Sequence, residues 1–481
     1  MLFSSVPFLF YFLPAVMIVY FAVPDKFKNA VLLVFSLVFY AWGEPKYVFL
    51  MLFSIVSGYI FGLLIEKYRG KKASGIFLVI SVIISLGVLC YFKYADFFIS
   101  NINRVTFISI PLLRITLPIG ISFYTFQIIS YNIDVYRKCV PACKNIVNFG
   151  AYVALFPQLI AGPIVRFKDI NQDLVSRKHK LDMAAVGIAR FCTGLGKKVL
   201  IANSFGQLCE IFKVSGEKSV LFYWIYAVSF TLQIYYDFSG YSDMAIGLGS
   251  IFGFNFPENF NYPYISKSIT EFWRRWHISL SSWFRDYVYI PLGGNRVSRK
   301  RWILNVCVVW MLTGFWHGAG WQFIMWGALY AFLLIIEKMF AGKYFARVPS
   351  FVSHVYVMFF VIIGFVLFNS DGIGGAFYDI TAMFGARGLP VITAETVYYL
   401  KSFFVMFIIG IIGSTPLIKY ISDRLRNGRM RKAYSLLYPL ILCLIVVIVT
   451  AYLVDGSFNP FLYFRFQVVF YICSFLTFLI I

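Results

Sequence analysis

Long apolar runs recur along the whole chain, and short polar segments separate them. A run of ~20 apolar residues is long enough to cross the ~30 Å hydrocarbon core of a bilayer as a helix. The pattern predicts an all-α polytopic membrane protein with about eleven transmembrane helices, plus shorter re-entrant or interfacial helices. Because no soluble stretch is longer than a loop, residues 1–481 are predicted to form a single membrane-embedded domain. Residues 1–21 lack a basic n-region and a small-residue cleavage site, which predicts a retained span rather than a signal peptide.

The charge distribution identifies the membrane as the partner of the basic residues. The chain is 60% hydrophobic and 13% charged, with a net charge of +22. Its basic residues gather in short loops between apolar runs, which is typical of cytoplasmic loops facing anionic lipids and not of a nucleic-acid interface. These loops are residues 66–72, 166–180, 295–301 and 423–432.

The cysteines give no sign of a disulfide framework or a metal site. The eight cysteines are scattered, mostly within apolar runs, and no histidine accompanies the nearest pair, Cys139 and Cys143. We therefore predict no metal ligands and no bound cofactor.

His317 stands among glycines and tryptophans in the stretch TGFWHGAGW, inside the apolar run 302–336. That run is too long for one span and slightly short for two, so a break is predicted near the glycines. In a helix that begins at residue 302, His317 lies roughly 22 Å along the axis, at or just beyond the bilayer midplane. A titratable side chain at that depth indicates function. The alternative is a packing histidine that hydrogen-bonds to a neighbouring helix.

A second histidine, His277, lies in a segment that is too polar to face lipid and too aromatic for a free loop, residues 258–296. Helical spacing runs from Thr270 to Ile290 and predicts an interfacial or re-entrant helix. Its apolar face contains His277 with Trp273, Leu280 and Phe284, whereas Arg274, Arg275, Arg285 and Asp286 fall largely elsewhere. An anchoring belt of tryptophan and arginine is the alternative. The two remaining histidines are expected to be solvated, because His179 lies in a basic loop and His354 lies near the end of a span.

Two carboxylates lie in a third membrane-length run, residues 232–249. Asp237 and Asp243, near Tyr241, need partners in a low-dielectric environment. The arginines of the 271–285 helix are the expected partners, in a pairing that is structural rather than catalytic.

Six motifs, in this order along the chain, carry a resemblance to a known family. They are FPQLIAGPIVRF (156–167), DFSGYSDMAIGLG (237–249), PENFNYPY (257–264), EFWRRWHISLSSWFRDYVYIPLGGNR (271–296), GFWHGAGWQFIMWG (314–327) and NPFLYFRF (459–466). The chain resembles the membrane-bound O-acyltransferase (MBOAT) family, in particular its alginate O-acetyltransferase-like bacterial branch. The resemblance implies a ring of tilted helices around a central tunnel, with His317 as the catalytic histidine and His277 as the second histidine of the active site.

This resemblance and the residues suggest the same chemistry. Ester exchange between a thioester and a hydroxyl needs a base, a stabiliser for the oxyanion, and exclusion of water. We expect His317 to be the base and His277 to orient the thioester or stabilise the oxyanion. We expect Trp276, Trp316 and Trp321 to line the tunnel. Arg274, Arg275 and Arg285 are the candidates for binding the phosphates of an acetyl-coenzyme A donor, and lipid anchoring is their alternative.

The resemblance further implies a bacterial cytoplasmic membrane location and a polysaccharide acceptor. A polymer does not thread easily into an intramembrane funnel, and this branch works with an extracytoplasmic acetyltransferase of the serine-hydrolase type. The sequence leaves open which polysaccharide is modified, which small acyl group moves, and whether the donor is coenzyme A or a carrier thioester. It leaves open whether a sugar or a partner serine accepts the group, the oligomeric state, and the number of spans.

Two alternatives follow from the same features. A D-alanyl transferase of teichoic acid synthesis has a similar arginine-tryptophan-histidine helix, although the continuation YIPLGGNR favours the acetyltransferase branch. A transporter or flippase for an anionic substrate also uses broken helices and buried arginines. A transporter needs no histidine in the tunnel.

Overall fold

The computed structural model describes residues 2–160, 162–341, 348–456 and Leu462. Every regular element in these residues is helical, as the apolar pattern predicts. Their contacts define two compact units, and the described part of the first comprises residues 2–160, 162–188, 245–257 and Leu462. The described part of the second comprises residues 189–244, 258–341 and 348–456.

Eight α-helices lie wholly within the described part of the first unit. They are α1 (Leu13–Ala22), α2 (Lys28–Gly43), α3 (Val48–Lys67), α4 (Lys72–Thr106), α5 (Ile121–Tyr136), α6 (Ile146–Ala154), α7 (Phe156–Leu159) and α8 (Phe167–Val175). Helices α3, α4 and α5 pack on one another. Close contact of α3 with α5 requires glycine, because a Cβ at Gly62 would lie 2.6 Å from the Tyr131 ring.

Helices α9 (Leu181–Gly196) and α11 (Val220–Ile251) contain the boundaries between the two units. The other α-helices belong to the second unit. They are α10 (Asn203–Val214), α12 (Ile269–Arg275), α13 (Ile278–Phe284), α14 (Arg299–His317), α15 (Trp321–Ile336), α16 (Ser350–Asn369), α17 (Gly372–Met383), α18 (Ala394–Ser402), α19 (Phe404–Gly413), α20 (Leu417–Asn427) and α21 (Arg431–Val454).

Within the described residues, five helical segments are long and apolar enough to cross a membrane: Pro45–Lys67, Lys72–Thr106, Trp321–Met339, Ser350–Asn369 and Arg431–Val454. Helices α18 and α19, bent by 53°, make a sixth if they form one span. Much of α4 and α21 exposes apolar side chains, as expected of surfaces that face lipid. The protein is therefore a multi-pass membrane protein, but the eleven predicted spans are not confirmed. Breaks divide several of the apolar runs into helices shorter than a span.

The predicted break in the run 302–336 is present and produces an antiparallel hairpin. Helix α14 ends at His317, and α15 begins at Trp321. The two helices approach so closely that a Cβ at Gly314 would lie 2.2 Å from the carbonyl oxygen of Phe323. Only glycine allows this approach, which positions His317 at the end of α14.

Where the structure describes the second unit, short π-helical segments interrupt it at three places: Lys197–Ala202, Arg285–Tyr289 and Glu337–Ala341. The Glu337 carboxylate accepts hydrogen bonds from the backbone N–H groups of Ile269 and Thr270, at 2.5 and 3.0 Å. The Ser268 side chain accepts from the Glu271 N–H at 2.9 Å. These acceptors satisfy the first N–H groups of α12 and fix the start of the segment that contains His277.

Candidate active site

His277 lies at a break between two short helices. The predicted helix from Thr270 to Ile290 is divided into α12, α13 and a π-helical turn, and His277 separates the first two with a φ of 45°. The expectation of one continuous helix is thus wrong, because a left-handed residue ends the α-helical hydrogen bonding. A non-glycine residue in this conformation is strained, and such strain concentrates at functional sites.

Hydrogen bonds between Asn259 and the residues at this break stabilise it. Its backbone carbonyl accepts from the Ile278 N–H at 3.0 Å. Its Oδ1 atom lies 3.0 Å from the Nδ1 atom of His277 and accepts from the N–H and hydroxyl of Ser279, at 3.3 and 2.8 Å. Its Nδ2 atom donates to the Ser242 hydroxyl at 3.1 Å. Sequence reasoning missed Asn259, although its motif PENFNYPY was noted, because an asparagine in a loop has no periodicity.

The second histidine, His317, is surrounded by aromatic rings. Its ring centroid lies 5.1 Å from those of Trp326 and Phe368, in edge-to-face arrangements. Trp316 contacts both histidines, at 5.0 Å from His317 and 6.1 Å from His277. The aromatic packing fixes the imidazole orientation and keeps the local dielectric low.

One cavity of about 470 Å³ brings the two histidines together. Apolar and aromatic side chains form most of its wall, among them Leu280, Phe284, Val309 and Trp310. The cavity has the size and character of a small-molecule site. All four residues of the predicted apolar face line it despite the helix break: Trp273, His277, Leu280 and Phe284.

The predicted arginines divide into two groups. Arg274 and Arg285 line the cavity, and the Arg285 Nε atom donates to Asp286 at 2.8 Å. Arg275 is not a lining residue, because its guanidinium binds the Glu271 carboxylate at 2.9 Å and the Asn261 carbonyl at 3.0 Å.

Lys338 adds a cation to the cavity that the sequence analysis did not identify. It donates to Asn295 at 3.0 Å and lies 4.4 Å from the ring centroid of Trp302. No local pattern indicates this role, because Lys338 is some 40 residues from Asn295 and only the hairpin brings them together. Arg274, Arg285 and Lys338 thus form a cationic group on the cavity wall.

The three predicted tryptophans lie in different environments. Trp276 lines the cavity and stacks on Phe272, with ring centroids 5.7 Å apart. Trp316 is buried beside both histidines but is not among the lining residues. Trp321 begins α15, is 48% exposed and does not line the cavity.

The carboxylates on α11 have partners other than those predicted. Asp243 binds Arg190 at 2.9 Å and Lys197 at 2.7 Å, and Asp237 binds Lys198 at 2.6 Å. The expected pairing with the arginines of residues 271–285 is therefore wrong. Lys197 and Lys198 are consecutive residues of a π-helical segment, so their side chains leave it in different directions and reach two different carboxylates. Tyr241 is buried on the same helix as the carboxylates.

The geometry suits proton transfer from a bound molecule to an imidazole. Burial lowers the pKa of His277, which lies outside the candidate spans, from its ordinary value of 6.5 to about 3. The imidazole is therefore neutral at physiological pH and has a lone pair available. A cavity with two histidines and a cationic wall, in a multi-pass membrane protein, is the arrangement expected of a membrane enzyme of acyl transfer.

Comparison with known proteins agrees with this class. The model of the membrane-bound O-acyltransferase family matches residues 136–370, a range that contains every residue lining the cavity. A probable alginate O-acetylase of Pseudomonas aeruginosa is 43% identical over 422 residues, which cover 84% of this chain and 81% of that protein. The chain belongs to the MBOAT family and is an O-acyltransferase similar to the alginate O-acetylases.

More distant relatives carry other names. A peptidoglycan O-acetyltransferase of Helicobacter pylori is 34% identical over 431 residues, with 81% of each chain covered. A teichoic acid D-alanyltransferase of Bacillus subtilis is 29% identical over 271 residues, 52% of this chain and 68% of that protein. The greater identity and coverage of the first two comparisons favour the acetyltransferase branch.

Proposed function

We propose that this enzyme, in the bacterial cytoplasmic membrane, moves an acetyl group from a cytoplasmic thioester donor toward the outer surface, for O-acetylation of a polysaccharide. Two relatives are named for acetylation of alginate and of peptidoglycan, both polymers rich in hydroxyl groups. The observation that carries the proposal is the cavity that His277 and His317 line together.

In the proposed step, His317 takes the proton of the acceptor hydroxyl while the hydroxyl oxygen attacks the thioester carbonyl carbon. The carbon–sulfur bond breaks, and the thiol leaves with a proton. Acetyl-coenzyme A is the donor we favour over a carrier thioester, because Arg274, Arg285 and Lys338 together suit the phosphates of a nucleotide. We also propose that this protein contains the central tunnel of the family, open to both sides of the membrane.

The size of the cavity is the reason for proposing a partner protein. A space of about 470 Å³ accommodates a small molecule and not a polymer. We propose that an extracytoplasmic acetyltransferase of the serine-hydrolase type receives the acetyl group on its serine and delivers it to the sugar. Purified protein in liposomes with [14C]acetyl-coenzyme A should then label that partner's serine before any polysaccharide.

The test of the function is the O-acetyl content of the surface polysaccharide in a strain without this protein. Wild type should restore acetylation, and His317→Ala at matched membrane expression should lower turnover by at least ~10²-fold. His354→Ala is the matched control, since His354 is outside the cavity and binds the Ser266 carbonyl. Full restoration by His317→Ala would favour a transporter. D-alanine instead of acetyl on the polymer would identify the teichoic acid alternative.

A further inference from the structure

The amide of Asn259 defines which nitrogen of His277 carries the proton. A backbone N–H can only donate, so the side-chain atom of Asn259 that faces the Ser279 N–H at 3.3 Å is its oxygen. The same oxygen lies 3.0 Å from the Nδ1 atom of His277. A carbonyl oxygen can only accept, so Nδ1 is the donor of that hydrogen bond.

The other nitrogen remains for a ligand. The Nε2 atom of His277 is buried and has no hydrogen-bond partner among the residues that the structure describes. His277 is 2% exposed and is one of the residues that line the cavity. A neutral imidazole that carries its proton on Nδ1 has a lone pair and no hydrogen at Nε2.

We infer that Asn259 is a positioning residue that fixes His277 in the Nδ1–H tautomer, so that Nε2 accepts a hydrogen bond from an O–H or N–H group of the bound substrate. This inference rests on the proposed function and refines the role expected of His277. Stabilising an oxyanion requires a proton on Nε2, which the neutral ring held by Asn259 does not have. The oxyanion is therefore stabilised by another donor, and His277 orients the substrate.

The orientation of Asn259 is itself fixed on both sides. Its nitrogen donates to Ser242 on α11, and its backbone carbonyl holds the turn after His277. The amide cannot rotate by 180° without placing its nitrogen against the Ser279 N–H, so two donors would face each other. The titratable groups that line the cavity with His277 are His317, Arg274, Arg285, Tyr289 and Lys338.

The first test is solid-state NMR of protein labelled with [15N]histidine in lipid bilayers at neutral pH. The chain has four histidines, so the signals of His277 are those absent from His277→Gln. The expected result is a protonated Nδ1 and an unprotonated Nε2. A proton on Nε2 would overturn the inference, whatever the activity of the protein.

Variants of Asn259 provide the functional readout. Asn259→Asp keeps the acceptor but adds a negative charge, so it should raise the pKa of His277 by about 1–3 pH units, measured by a 15N NMR pH titration of the His277 signals. Asn259→Leu removes the acceptor and should yield both tautomers by NMR, with loss of kcat. Ser242→Ala is the control, because it leaves the acceptor in place and should preserve the tautomer and the pKa of His277.

The outcomes separate this inference from the proposed function. An unchanged pKa of His277 in a folded Asn259→Asp variant, with the wild-type tautomer retained in Asn259→Leu, would show that Asn259 is only structural and overturn the inference. If His277→Gln keeps full acetyl transfer, the inference is overturned, because Nε2 then orients no substrate, whereas the proposed function stands. If His317→Ala keeps full acetyl transfer while the NMR of the wild type reports the Nδ1–H form of His277, the proposed function fails and the tautomer assignment stands.

Discussion

Lys198 and Asp237 form an almost completely buried ion pair. Their Nζ and Oδ1 atoms are 2.6 Å apart, and the two side chains are 2% and 4% exposed. Because both charges have left water, each depends on the other for compensation. The pair joins the π-helical segment Lys197–Ala202 to α11.

Removing one partner of this pair should be costly. Lys198→Met leaves the Asp237 carboxylate buried without its cation and should lower the free energy of unfolding by about 3–5 kcal/mol. Thermal or denaturant unfolding in nanodiscs measures this loss. The double variant Lys198→Met/Asp237→Leu should recover most of it, since no uncompensated charge then remains.

A surface pair offers the matched control. Lys213 and Glu210 are 3.5 Å apart, with side chains 40% and 35% exposed. Lys213→Met should cost at most ~1 kcal/mol. Equal losses from Lys198→Met and Lys213→Met would contradict the assignment of a buried, mutually dependent pair.

The contact between α14 and α15 should be intolerant of a single added methyl group. Gly314→Ala places a Cβ 2.2 Å from the Phe323 carbonyl oxygen, which belongs to the backbone and cannot rotate away. The helices must separate, at about 1–3 kcal/mol, and His317 moves with the end of α14. We expect lower stability together with lower kcat.

Gly87→Ala is the control for this prediction. Gly87 lies within α4, and a Cβ there would meet nothing within 4 Å. Alanine has a higher helix propensity than glycine, so this change should stabilise the protein by up to ~1 kcal/mol. A neutral Gly314→Ala variant would mean that the hairpin is more open than described.

The position of His317 illustrates what the sequence could predict. Three glycines lie inside an apolar run that is too long for one span and slightly short for two, and together they indicate a break. The break fixes the end of α14. The number of spans could not be predicted in the same way, because hydropathy does not distinguish a run that crosses the membrane from one divided by a turn.

The segment around His277 illustrates the opposite case. Helical spacing continues through residue 277, so the sequence predicts one helix, yet hydrogen bonds accepted by Asn259 hold a left-handed residue there. The partners of Asp237 and Asp243 were missed for a related reason. Contacts between residues about 40 to 50 positions apart leave no periodic signal, and a π-helical register is not visible in composition.

The arginines that line the cavity should affect binding of the donor. Arg274→Gln and Arg285→Gln each remove a charge-assisted contact to phosphate, worth ~1.5–3 kcal/mol, so KM for acetyl-coenzyme A should rise by about 10–100-fold. Steady-state kinetics at several salt concentrations measure this effect. Arg275→Gln is the control, since Arg275 binds Glu271 and Asn261 and should change stability more than KM. A rise in KM confined to Arg275→Gln would contradict the proposed donor site.

The buried neutral imidazole of His277 should make the protein sensitive to acid. Burial lowers its pKa in the folded state from 6.5 to about 3, so below pH 6.5 the unfolded chain binds a proton that the folded protein excludes. The stability that this difference contributes is complete above pH 6.5 and is lost as the pH falls toward 3, by ~1.4 kcal/mol per pH unit. Unfolding at pH 7.5 and pH 5 should therefore differ by ~2 kcal/mol more in wild type than in His277→Gln. His354→Gln, outside the cavity, should keep the wild-type difference. An identical acid response in His277→Gln and wild type would mean that the folded protein accepts the proton on His277.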